Sequence, residues 1–132
     1  MMPATSVQRP LQGLRVLIVE DEWLIAAHLK DLLTDMGCQI AGHASHQRQA
    51  LDVASKAEFD IALLDINLAG SDVFPVAKAI TERRLPFAFV TGYGAGHNMG
   101  PYGDRPVLQK PITALGLGNV LKKALEADGA KP

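Results

Sequence analysis

The sequence predicts an α/β fold, a doubly wound five-stranded parallel sheet with helices on both faces. Three observations predict it. Apolar, β-branched runs recur along the chain, at residues 14–19, 39–43, 59–65, 87–90 and 107–109. The segments between them are too long for hairpins, and most carry helical spacing, which calls for parallel strands joined by right-handed crossovers. The central run, Ile61-Ala62-Leu63-Leu64, is apolar without alternation, as in a strand buried on both faces, and it ends on the carboxylate of Asp65.

The first strand, 14–19, leads straight into Glu20-Asp21-Glu22. Leu24, Ile25, Leu29, Leu32, Leu33 and Met36 then recur at helical spacing up to Gly37, a natural helix stop. Residues 39–43 form a second strand. Ser45 is the expected cap of a helix to about Lys56, with Ala50, Val53 and Ala54 turned inward. After the third strand, Gly70-Ser71-Asp72 is expected to open a third helix through Val73, Val76, Ala77 and Ile80, with Pro75 tolerated in its first turn. Pro86 precedes the fourth strand, which ends at Thr91. Gly92, Gly94, Gly96, Gly100, Pro101 and Gly103 follow. Each helical glycine costs about 1 kcal/mol relative to alanine, so a fourth helix there is expected to be short and mobile. A brief fifth strand leads to Lys110-Pro111, and Thr113 caps a last helix in which Leu115, Leu117, Val120, Leu121, Ala124 and Leu125 alternate with charges.

The 132 residues suffice for one domain, expected over 13–128, with polar tails at 1–12 and 129–132. The composition, 48% hydrophobic and 20% charged with a net charge of −1, is that of a soluble globular protein. No basic cluster points to nucleic acid, no run of roughly 20 apolar residues points to a membrane, and the N-terminus lacks the apolar core of a signal peptide. The single Cys38 cannot form an internal disulfide and is read as a small buried hydrophobe, which fits the cytoplasm.

In an open α/β sheet the carboxyl ends of the strands share one edge, where ligands bind. Four strands here end in polar groups: Glu20 and Asp21 after the first, Asp65 at the third, Thr91 at the fourth, Lys110 after the fifth. Carboxylates so gathered repel by roughly 4 kcal/mol per pair at 4 Å and an effective dielectric of about 20, a cost that a hard divalent cation such as Mg²⁺ removes. Asp65 is then both metal ligand and nucleophile, since carboxylates form acyl phosphates. A transferring phosphoryl group spreads charge over three oxygens. The metal, the Lys110 ammonium, and the Thr91 hydroxyl with main-chain N–H groups near Asn67 can each take one.

This arrangement resembles the receiver domain of two-component response regulators. Val-Glu-Asp-Glu (19–22) is similar to the family's acidic pair, Leu-Leu-Asp-Ile-Asn-Leu (63–68) to its phosphoacceptor segment, Thr91 to its switch hydroxyl and Lys110-Pro111 to its Lys-Pro pair, whose peptide bond is usually cis. The resemblance implies a flavodoxin-like sheet in the order 2-1-3-4-5. It implies phosphorylation of Asp65, with Lys110 and Thr91 assisting, and a Mg²⁺ site formed by Glu20, Asp21, Asp65 and the main-chain carbonyl of Asn67. It further implies a cytoplasmic bacterial phosphoprotein that is no enzyme beyond its own phosphorylation and dephosphorylation. The donor would be a histidine kinase or phosphotransfer protein. Output would pass to a downstream protein through the fourth helix, fifth strand and last helix, since no output domain follows in this sequence. A homodimer is left open.

Two departures stand out. Glu20 occupies a position where Asp is commoner, and its extra methylene is expected to shift a metal or insert a water. Val107 lies where many receivers carry an aromatic that turns inward as the threonine hydroxyl swings to the phosphate. Phe89-Val90-Thr91-Gly92-Tyr93 is similar to the Phe-Ala-Thr-Gly-Tyr segment of a receiver subgroup without that aromatic. Two alternatives compete: a degenerate receiver that only binds partners, and an aspartyl-phosphate phosphatase of the haloacid dehalogenase type. The latter needs a second Asp as general acid at position 67, which is Asn. Glu22 is expected to be a solvated first-turn acid and Trp23 to pack in the core or at its rim. His28, His43, His46 and His97 show no ligand spacing and are read as surface or helix-face residues.

Overall fold

A computed structural model of the chain describes residues 11–68, 70–92 and 100–129. In order these form β1 (Arg15–Val19), α1 (Trp23–Asp35), β2 (Gln39–Ala44), α2 (Gln47–Lys56), β3 (Ile61–Asp65), β4 (Asn67–Leu68), β5 (Ser71–Asp72), α3 (Phe74–Glu82), β6 (Phe87–Thr91), a 3-10 turn (Gly100–Tyr102), β7 (Val107–Gln109) and α4 (Ala114–Gly129). Five strands make one sheet in the order β2-β1-β3-β6-β7, with every neighbouring pair parallel. This is the expected 2-1-3-4-5 order once β4 and β5, a separate antiparallel ribbon, are set aside.

Side chains alternate across the sheet and divide the core in two. Val16 and Ile18 of β1 join Leu29 and Leu33 of α1 and Leu117 and Leu121 of α4. Leu17 and Val19 face the opposite way, toward Ala50 and Ala54 of α2 and Val76, Ala77 and Ile80 of α3. Every residue of β3 is buried, which explains its unalternating sequence. A fully buried Leu or Ile contributes about 1.5–3 kcal/mol, so this central strand anchors both layers. Cys38 is buried as expected. Leu11, read as part of the tail, is buried in the first of these cores. No helix among the described residues is long and apolar enough to cross a membrane.

Local chemistry sets the element ends. Gly37, at φ +89°, stops α1, and the Cys38 N–H reaches back to the Leu33 carbonyl. Thr113 caps α4 as expected, its Oγ1 accepting from the Gly116 N–H at 3.1 Å. The α2 cap is His46 rather than Ser45. Its Nδ1 faces the Gln49 N–H at 3.4 Å, while the Ser45 N–H is bound by the Gln49 side chain. The third helix starts later than expected. Residues 70–72 turn through Gly70, at φ +79°, into the β4–β5 ribbon. The Asp72 carboxylate then accepts from the Phe74 N–H at 2.9 Å, and α3 begins at Phe74 with Pro75 in its first turn. The expected weak fourth helix falls largely on residues 93–99, outside the described residues, and its described end is the 3-10 turn. Trp23 is not core: it is 75% exposed, in the first turn of α1 beyond the carboxyl edge of the sheet.

Candidate functional site

Parallel pairing in register brings the carboxyl ends of β1, β3, β6 and β7 to one edge. Val19 lies beside Leu64, Asp65 beside Val90, and Thr91 beside Gln109. The residues at or just past these ends are Glu20, Asp21, Asp65, Thr91 and Lys110, so strand register brings all five to one edge of the sheet. Glu20 and Asp65 are 1% and 3% exposed, and Thr91 is buried. Glu20, Asp21 and Asp65 each offer a carboxylate oxygen, and these oxygens lie within 4.8 Å of one another. The Lys110 ammonium is 3.8 Å from both Glu20 Oε1 and Asp65 Oδ2.

Main-chain groups hold this cluster. The Asn67 N–H donates to Asp65 Oδ1 at 3.1 Å, and the Glu22 N–H donates to Glu20 Oε2 at 3.2 Å. The Lys110 N–H donates to the Thr91 carbonyl at 2.9 Å, tying β7 to the end of β6. The Lys110-Pro111 peptide is cis, as the resemblance implies.

Burial, followed by the facing Glu20 carboxyl, pushes Asp65 up to about 8, against the pull of the Lys110 ammonium and the Asn67 N–H. Burial likewise raises Glu20. Burial opposes the Lys110 charge, but Asp65, Glu20 and Glu22 outweigh it and raise its pKa. Glu20 Oε1 and Asp21 Oδ1 are buried and accept no hydrogen bond from the described residues. Such atoms are costly unless something electropositive meets them. An all-oxygen set with two buried carboxylate oxygens left without a hydrogen bond, one of them with only the Lys110 ammonium at 3.8 Å, fits a hard divalent cation, Mg²⁺ or Ca²⁺.

Two contributors escaped the sequence reading. Glu22 is not merely solvated: its Oε1 is 3.2 Å from the Lys110 ammonium, the nearest of the three carboxylates around it. Its place next to the acidic pair was the available signal. The His43 Nε2 lies 2.9 Å from the Glu20 carbonyl, a contact set by β1–β2 pairing that no sequence spacing announces. His28 similarly reaches the Ile112 carbonyl at 3.0 Å. His97 lies outside the described residues. Val107 pairs in register with Phe89. Tyr102, from the 3-10 turn, packs its ring 5.8 Å from Phe87, 6.4 Å from Phe89 and 6.0 Å from Phe74.

The family model of the response regulator receiver domain matches residues 16–122. The chain belongs to this family. The solution structure of SdrG from Sphingomonas melonis Fr1 superposes on this receiver domain with a TM-score of 0.77, at 38% identity over 86% of this chain and 97% of SdrG. The chemotaxis protein CheY of Thermotoga maritima is 38% identical over 70 residues, covering 53% of this chain and 58% of CheY. The phyllosphere-induced regulator PhyR of Methylorubrum extorquens is 30% identical over 117 residues, covering 83% of this chain and 43% of PhyR. The receiver domain thus spans less than two thirds of the length of the curated relatives it matches. Membership makes it a module of two-component signalling, and the haloacid dehalogenase alternative falls away.

Proposed function

We propose that this receiver domain takes a phosphoryl group onto Asp65 from the phosphohistidine of a kinase or phosphotransfer protein, and signals through protein contacts. The observation that carries the reading is the convergence of Glu20, Asp21 and Asp65 within 4.8 Å, with Lys110 3.8 Å from the Asp65 carboxylate. In the transfer an Asp65 oxygen attacks phosphorus, the phosphorus–nitrogen bond breaks, and the departing imidazole keeps the bond's electron pair. Mg²⁺ held by Glu20, Asp21, Asp65 and the Asn67 main-chain carbonyl would neutralise phosphoryl charge and favour the ionised Asp65. Lys110 meets a second phosphoryl oxygen as a point charge, and the Thr91 hydroxyl with N–H groups near Asn67 meets a third. Asp65 is suited to act as nucleophile because the Asn67 N–H fixes one carboxylate oxygen. The output face we assign to β7 and α4, where Leu115 is 76% exposed and available to a partner. A buried free thiol at Cys38 suits the reducing cytoplasm.

Incubation with phosphoramidate and Mg²⁺, read by intact mass, tests this. The wild type should gain one phosphoryl group, roughly 80 Da, and Asp65→Asn should gain none, as a carboxylate nucleophile requires. A wild type that stays unmodified even with a cognate kinase would leave only a binding role. Lys110→Ala should keep the thermal midpoint within a few degrees and slow uptake by roughly 100-fold, the usual scale for losing one group that stabilises developing charge. An unaltered rate would remove Lys110 from the chemistry.

A further inference from the structure

Glu22 is the first residue before α1 and sits at its N-cap, yet its side chain makes no capping hydrogen bond. An acid there ordinarily accepts from the N–H groups of the first turn. Here the main chain of Glu22 is held on both sides. Its N–H donates to Glu20 Oε2, and its carbonyl accepts from the Ala26 N–H. The carboxylate reaches Lys110 instead, 88 positions away in sequence, at 3.2 Å. Glu20 and Asp65 lie farther from the same ammonium, at 3.8 Å each. Those two are buried, whereas the Glu22 side chain is 63% exposed, so the lysine stands at the mouth of the site with Glu22 on the solvent side.

We propose that Glu22 is a positioning residue that holds the Lys110 ammonium at the mouth of the site, so that Lys110 must leave Glu22 to meet a phosphoryl group on Asp65. This rests on the phosphotransfer reading above. Glu22 competes with the phosphoryl oxygens for the same cation, which damps uptake by the unassisted domain. Because the pair is exposed, its strength is modest and sensitive to salt.

The test measures uptake from phosphoramidate and from acetyl phosphate, with Mg²⁺ at low ionic strength, in the wild type, Glu22→Gln, Glu22→Asp, Lys110→Ala and the Glu22→Gln/Lys110→Ala double variant. Glu22→Gln should accelerate uptake about two- to fivefold, the range an exposed ion pair supports. The factor should be the same for both donors, fade at about 0.5 M salt, and shrink in Glu22→Asp, which keeps the charge. It should vanish in the Lys110→Ala background, since the coupling runs through the lysine. An unchanged or slower Glu22→Gln overturns the proposal. Equal acceleration with and without Lys110 also overturns it, because Glu22 would then only repel the anionic donor. The Lys110 Cε resonance of the unphosphorylated protein gives a readout independent of transfer: Glu22→Gln should move it, and a resonance left in place sinks the tether whether or not any phosphoryl group is accepted. Failure of the wild type to be phosphorylated, with that resonance shifted, counts against the phosphotransfer reading alone.

Discussion

In metal-free buffer the domain should lose stability as pH rises from about 4 through 8, and Asp65→Asn should abolish most of that loss. The folded chain holds the Asp65 proton until about 8, against an ordinary value of 3.8. Between those values the folded state carries a proton that the unfolded state has released, so the contribution is fully present below about pH 4 and disappears as pH passes the folded pKa. The physical cause is a carboxyl group buried beside the buried Glu20, in a site with one nearby ammonium. Because the Glu20 and Asp65 carboxyl groups share the effect, the expected loss at pH 8.5 relative to pH 5 is on the order of 1–3 kcal/mol. Asp65→Asn keeps the shape, removes the charge, and should therefore be the more stable protein at pH 8.5. Urea denaturation of both proteins at pH 5, 7 and 8.5 in EDTA measures it. Adding Mg²⁺ should restore the wild type most, by mass action on the folded state. Parallel pH profiles for the two proteins would show that Asp65 is ionised in the folded, metal-free chain.

Phe89→Ala should destabilise the fold by about 3–5 kcal/mol, a large part of the 5–15 kcal/mol that holds a domain of this size together. Phe89 is fully buried in the middle of β6, beside Leu64 on β3 and Val107 on β7. Its ring meets Phe87 at 5.4 Å and Phe74 at 6.1 Å, both edge-on. The neighbours are themselves fixed: Phe87 by the same strand and by the Arg105 guanidinium 4.4 Å from its ring centre, Phe74 by the start of α3. They cannot close around the missing ring, so the cost is transfer plus cavity. Phe89→Leu, which keeps most of the volume, should cost less than about 1.5 kcal/mol. The comparison also probes the site, since Thr91 lies two residues on and turns to the same face of the strand. A loss below 1 kcal/mol for Phe89→Ala in urea would mean that Tyr102 and Phe74 collapse into the space.

The elements most legible in the sequence were those whose pattern is imposed by burial. The unbroken apolar run of β3 and the helical spacing of α1 follow from what each must bury. The strand-end polar groups were legible for a related reason. A charge at the end of a buried run is expensive without partners, so Glu20, Asp65 and Lys110 implied one another before any contact was seen. Local competition was harder to read. Gly70-Ser71-Asp72 has the chemistry of a helix start and also of a turn, and the ribbon took it because Asp72 could cap α3 from outside. Trp23 has the apolar character of a core residue, but in the first turn of α1 it is exposed.

The sequence by itself determined the sheet, its two-sided core and the set of acids and lysine that meet at one edge. Hydrophobic periodicity is a local property, and strand ends follow from it. Only the tertiary structure decided which carboxylate lies nearest the Lys110 ammonium, which oxygens of Glu20 and Asp21 go without a hydrogen bond among the described residues, and which ring packs against Phe89. Those outcomes depend on distances of a few ångströms between residues as far apart in sequence as Glu20 and Lys110, set by strand register and side-chain packing, neither of which leaves a periodic trace in the chain.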